Sequence, residues 1–90
     1  VPTEFFVDQN FPNPFNPSTQ IKFGITEAVN VDLRIYDVLG REVAVLANNE
    51  YLSAGSYNVK FNAANLASGI YIYKLTAGAN TVSRKMQLLK

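Results

Sequence analysis

Few side chains in these 90 residues could do chemistry, and those few lack the partners that chemistry needs. The chain has no histidine, cysteine or tryptophan. Histidine-based triads, thiol nucleophiles, disulfide staples and Cys/His zinc sites are therefore excluded. Ser18, Ser53, Ser56, Ser68 and Ser83 have no histidine to activate them, and no glycine-rich phosphate loop is present. The acids are Glu4, Asp8, Glu27, Asp32, Asp37, Glu42 and Glu50. A glycosidase needs two carboxylates facing each other across a cleft. Asp32 instead sits beside Arg34 on the wet side of an alternating run, and Asp37 is accounted for by turn chemistry. A calcium loop needs oxygen ligands at alternate positions, a density that neither Asp8-Gln9-Asn10 nor Asn48-Asn49-Glu50 reaches. These residues predict no enzyme, no catalytic residue, no metal site and no cofactor.

Positions this poor in catalytic chemistry must be read through the elements that carry them. Hydrophobic residues make up 48% of the chain and charged ones 17%, which fits a core-forming segment and not a disordered tail. A chain this short buries only about 60% of the surface that its unfolded form exposes, so one small core is predicted, with little room for a deep cavity. The net charge of +1 gives no case for nucleic-acid binding. The longest uncharged stretches are too short, and too interrupted by proline or asparagine, to cross a bilayer as a helix. The chain opens on Val1 without a signal-peptide pattern and reads as cut from a longer polypeptide.

The dominant hydrophobic period is two, which means strands. Ile21, Phe23 and Ile25 alternate with polar or small residues, as do Val29, Val31, Leu33 and Ile35. Tyr57, Val59 and Phe61 follow the same pattern. The run Ile70 to Leu75 is apolar on both sides and predicts a central strand, with Tyr71, Tyr73 and Leu75 sharing a face. Adding Glu4 to Asp8, Arg41 to Ala47 and Thr81 to Leu89 gives seven strands and no convincing helix. The predicted fold is all-β: an immunoglobulin-like antiparallel β-sandwich of about seven strands, one domain over residues 1–90, monomeric.

The turns agree with that pattern. Asp37-Val38-Leu39-Gly40 places Asp at the first turn position and Gly where φ must be positive. Ala77-Gly78-Ala79-Asn80 suits a type II′ hairpin. Leu66 to Tyr71 resembles a tyrosine corner, with Tyr71 as the corner residue and Gly69 as its permissive backbone position. The segment Gln9 to Ser18 holds three prolines and predicts an extended, polyproline-like run. It either presents Phe11 and Phe15 to a partner or lays both rings over the open end of the sandwich. The second is the stronger expectation, because exposed aromatic pairs are costly in a small soluble domain. Charge is uneven along the chain: residues 1 to 50 hold all seven acids against three bases, whereas residues 51 to 90 hold five bases and no acid. That asymmetry predicts either cross-strand pairing between the halves or a basic edge formed by Arg84, Lys85 and Lys90.

Four blocks carry a family resemblance. They are Phe11-Pro12-Asn13-Pro14-Phe15-Asn16-Pro17-Ser18-Thr19, Ile35-Tyr36-Asp37-Val38-Leu39-Gly40-Arg41-Glu42-Val43, Ser68-Gly69-Ile70-Tyr71-Ile72-Tyr73-Lys74-Leu75 and the terminal Lys85-Met86-Gln87-Leu88-Leu89-Lys90. In this order, covering about Phe6 to Lys90, the chain resembles the type A C-terminal sorting domain of the type IX (Por) secretion system. That family's domain is similar in fold to the immunoglobulin-like domain of the flagellar hook-capping protein. The resemblance implies a non-enzymatic address at the end of a secreted cargo. Its implied partners are the outer-membrane translocon, its sorting peptidase and the covalently attached N-terminal cargo. Its implied route is the periplasm in transit, then the cell surface or medium.

Carried onto this sequence, the structural motif positions are Pro12, Asn13, Pro14, Asp37, Gly40, Arg41, Gly69 and Tyr71. The recognition positions are Arg84, Lys85, Leu88, Leu89 and Lys90, on a terminal strand able to add to a receptor's sheet through its backbone. The alternative class is a carbohydrate-binding or structural accessory module of a secreted hydrolase. A carbohydrate-binding module would usually show a planar row of exposed aromatics, often including Trp.

Overall fold

The computed structural model describes residues 2–90. Seven strands form in the predicted order: β1 (Phe6–Val7), β2 (Ser18–Ile25), β3 (Val29–Asp37), β4 (Glu42–Leu52), β5 (Gly55–Asn62), β6 (Gly69–Ala77) and β7 (Asn80–Leu88). They make two sheets whose strand pairs are all antiparallel, one in the order β1-β2-β5 and the other β4-β3-β6-β7. This is the all-β sandwich that the period of two implies. In an immunoglobulin constant-type sandwich the fourth strand joins the first sheet. Here the Asp37–Gly40 turn closes a hairpin, so β4 pairs beside β3 in the same sheet.

The alternating residues of β2, β3 and β6 meet between the sheets. Ile21, Val31, Leu33, Ile35, Tyr73 and Leu75 are each wholly buried. Each large side chain of this kind contributes about 1.5–3 kcal/mol by leaving water. β6 lies between β3 and β7, the central place its two-sided apolar run predicts.

Two element boundaries differ from the sequence reading. β1 shrinks to two residues; the Phe6 ring lies over Gly24, where an added Cβ would stand 2.2 Å from ring atom Cε1. β4 runs on past Ala47 to Leu52, because Asn49 takes a positive φ of 52° and donates its N–H to Asp32 Oδ1 (3.2 Å) at a bulge opposite β3. Asparagine tolerates that conformation, so Asn48-Asn49-Glu50 bends the strand instead of ending it.

The proline segment is not a polyproline run. Chain pairing shifts from Val7↔Phe23 to Phe11↔Gln20, one residue out of step, so a bulge falls at Gln9-Asn10. The bulge turns Asn10 inward, where it is buried, and leaves Phe11 80% exposed. Phe15 instead enters the core against Phe61, with centroids 6.3 Å apart. The expectation that both rings cover the sandwich therefore holds for Phe15 and is corrected for Phe11.

Candidate functional site

Strand register, not sequence proximity, assembles the site. Asp37 pairs with Tyr71, Tyr71 with Met86, Gly69 with Leu88, and Leu88 bridges to Phe15. The four blocks Phe11–Thr19, Ile35–Val43, Ser68–Leu75 and Lys85–Lys90 thereby bring their turns and ends to one pole of the sandwich. The opposite pole carries the start of β1, the β2–β3 and β4–β5 turns and the Gly78 hairpin.

At the shared pole the Asp37 carboxylate organises the first hairpin. Its Oδ1 accepts the N–H groups of Leu39 and Arg41 at 2.9 Å each, and Oδ2 accepts Arg41 Nε at 2.8 Å. The Arg41 and Leu39 amides, with the Arg41 guanidinium, hold this carboxyl below the usual carboxylate range. Gly40 at φ +82° closes the turn by donating its N–H to Asp37 O at 3.0 Å. In the second block Tyr71 donates its hydroxyl to Ala67 O at 2.7 Å, the bond of a tyrosine corner. Gly69 stands just before it at φ +156°, with open space where a Cβ would point.

A buried polar cluster absent from the sequence reading binds the first block to the core. Tyr73 donates its hydroxyl to Asp8 O at 2.6 Å and accepts the Asn10 N–H at 3.0 Å. Asn10 Nδ2 donates to Pro12 O (3.1 Å) and Thr19 Oγ1 (3.0 Å), and the Thr19 hydroxyl donates on to Pro12 O at 2.9 Å. Burial raises the Tyr73 phenol above its ordinary range. The only sequence signal was Thr19, a polar residue in step with the apolar face of Ile21, Phe23 and Ile25; Asn10 gave none, because a bulge and not a periodicity buries it.

The terminal block is held by the first. Phe15 donates its N–H to Gln87 O (2.9 Å) and accepts that of Leu89 (3.0 Å), while Asn13 Oδ1 accepts the Gln87 N–H at 2.9 Å. Gln9 Nε2 donates to Lys85 O at 2.7 Å. The backbone groups that point outward from the second half of β7 are thus largely occupied by the chain's own proline segment. Strand addition by a receptor over Lys85 to Lys90 is corrected on that ground: the edge is already taken.

Among the predicted recognition residues, Leu88 is fully buried and is a core residue, a second correction. Leu89 is about half exposed. Lys90 donates its N–H to Ser68 Oγ (3.0 Å) and its ammonium to Ala64 O (2.5 Å). Arg84 Nε donates to Val7 O at 2.7 Å. Lys85 pairs with Ile72, and as the immediate neighbour of Arg84 it faces the other side of the sheet. The single basic edge is therefore corrected to dispersed cations. Pairing between the two halves of the chain is not found either: the three ion pairs among the described residues, Arg34 with Asp32 and Glu42 and Arg41 with Asp37, all lie within β3, β4 and their hairpin.

Backbone and amide contacts thus gather four distant segments at one pole of a small sandwich. A family model described as the secretion system C-terminal sorting domain matches residues 9–88. The chain belongs to that family, the C-terminal sorting signals of the type IX secretion system, whose members are exported to the cell surface or medium. No curated protein and no solved structure matches it.

Proposed function

We propose that this domain is read as a folded unit at the pole where its four blocks meet, and that the outer-membrane translocon of the type IX system does the reading. The observation that carries this is the convergence itself. Segments as far apart as Asn13 and Gln87 touch only in the folded chain. A receptor for this pole distinguishes folded from unfolded cargo without reading a linear peptide. The exposed side chains there and on β7, chiefly Arg84, Lys85, Leu89 and Lys90, supply contacts, while Pro12, Asn13, Pro14, Asp37, Gly40, Arg41, Gly69 and Tyr71 shape the pole.

In this reading the domain has no activity of its own. It travels attached to an N-terminal cargo, passes through the periplasm and is handed to the sorting peptidase after crossing the outer membrane. The start of β1 lies at the opposite pole, so an N-terminal cargo leaves the reading surface clear.

The test is Lys85→Glu with Lys90→Glu in a reporter fusion, in a host carrying the type IX machinery. Neither lysine is ion-paired to an acid among the described residues, so the domain's stability is expected to stay within about 0.5 kcal/mol per substitution. Surface-exposed reporter is expected to drop sharply. Full export by the double variant would refute the assignment of these lysines to recognition.

A further inference from the structure

The outer face of the three-stranded sheet, beside the pole just described, carries a groove of about 480 Å³. Phe11 and Pro12 form one wall. The floor is a cross-strand array in which Gln20 faces Lys60 and Lys22 faces Asn58. The Phe11 ring is 80% exposed, yet its backbone is fixed by reciprocal hydrogen bonds with Gln20, at 3.0 Å in each direction, and by the proline that follows. A large exposed ring on a clamped backbone is not a frayed end, and core packing does not use it.

The polar groups beneath are arranged without being consumed. Asn58 Nδ2 donates to Gln20 Oε1 at 2.6 Å, which orients both amides and leaves Gln20 Nε2 and Asn58 Oδ1 without a partner among the described residues. None of the ion pairs involves Lys22 or Lys60; the acid at the groove is Asp8.

We infer that this groove binds an acidic oligosaccharide, with a sugar ring stacked on Phe11, its hydroxyls on the Gln20–Asn58 amide pair and its carboxylate toward Lys22 and Lys60. The π-face of Phe11 carries partial negative charge and attracts the polarised C–H groups on the flat side of a sugar. The amide pair offers one donor and one acceptor, which is what vicinal hydroxyls require. Two ammonium groups against one carboxylate favour an anionic ligand over a neutral one. β2 itself offers no edge to a peptide adding as a strand, because it is paired with β5 along its length and with β1 and Phe11 on its other side.

Titration of the 90-residue chain with an alginate tetrasaccharide, a maltotetraose and a tetraglutamate peptide, followed by calorimetry or amide chemical shifts, tests the assignment. The uronate is expected to bind, to bind at least several-fold tighter than the neutral sugar at low salt, and to weaken as salt rises. Phe11→Ala is expected to weaken uronate binding about tenfold, the scale of a central aromatic anchor. Lys60→Glu is expected to abolish the preference for the acidic sugar while leaving the thermal midpoint unchanged. Absence of uronate binding, uronate affinity unaltered in both variants, or equal affinity for tetraglutamate would each overturn the proposal.

Discussion

Tyr73→Phe is the sharpest probe of how the proline segment is held. The substitution leaves the ring in a site with no solvent exposure and removes only the hydroxyl, so packing is retained. Two bonds are lost: the one donated to Asp8 O at 2.6 Å and the one accepted from Asn10 N at 3.0 Å. Asp8 is exposed, so its carbonyl regains water and that loss is near the net value of an ordinary hydrogen bond, about 1 kcal/mol. Asn10 is buried, and its stranded N–H costs about 1–3 kcal/mol more. The sum is about 2–4 kcal/mol, or a fall in melting temperature on the order of 10 °C or more for a domain of this size. Tyr57→Phe is the control. It also deletes a hydroxyl, here one that donates to Ser53 O at 2.6 Å, but at an exposed site where the carbonyl is rehydrated, and it should cost about 1 kcal/mol or less. Urea unfolding at constant slope measures both. Equal losses in the two variants, or a Tyr73→Phe cost under about 1 kcal/mol, would refute the view that the buried cluster anchors residues 8–19.

Tyr73 also sets an alkaline limit. Its folded pKa is raised above the unfolded value of about 10, so the folded chain keeps its proton longer, and stability falls as pH rises from that value through the folded pKa. The difference between wild-type and Tyr73→Phe stability should therefore narrow above about pH 10, as unfolding titrations at several alkaline pH values will show. Asp37 acts in the opposite sense. Its folded pKa is depressed, so its contribution is present above about pH 4 and is lost as pH falls through the folded pKa; Asp37→Asn should flatten the acid limb of the stability profile while keeping the hairpin. Gly69→Val should destabilise by more than about 1 kcal/mol through backbone angles alone, since the space is open, and an unchanged denaturation midpoint would remove Gly69 from the structural positions.

What could be seen in the sequence follows from which signals are periodic. The core of β2 and β3 was legible because alternation over five or more residues has one reading when one face must be dry, and that of β6 because a run apolar on both sides predicts a central strand. The Asp37–Gly40 and Gly78 turns were legible because positive φ selects few residue types. Features that depend on a single inserted residue were not. The bulge at Gln9-Asn10 sends Asn10 into the core and Phe11 out, and the bulge at Asn49 extends β4 through a stretch with little strand propensity. Both change which residue faces where without leaving a repeating trace. The edge of β7 was misjudged for a related reason. Its occupant is an irregular segment more than 70 residues away whose pairing is one parallel bridge and an Asn side chain, neither of which alternation reveals.

The occupied edge bears on how an address can be built into a fold. An open terminal strand invites pairing with any exposed sheet, so it would be a poor signal and an aggregation hazard in a crowded compartment. Here Phe15 and Asn13 take the backbone groups of Gln87 and Leu89, and what β7 still offers there is its side chains and the geometry of the pole. Releasing that cover should therefore trade specificity for stickiness. Phe15→Ala removes a wholly buried ring and should cost about 3–5 kcal/mol, enough to loosen residues 9–17 together with the β7 edge. The milder Asn13→Ala removes only the bond to Gln87 N, at an exposed site, and should leave the melting temperature within a few degrees. If the cover is what keeps β7 from indiscriminate pairing, Phe15→Ala self-associates at concentrations where the parent chain and Asn13→Ala sediment as monomers. Monomeric Phe15→Ala, with amide exchange at Lys85–Leu89 as slow as in the parent chain, would show that β7 is protected by something other than the proline segment.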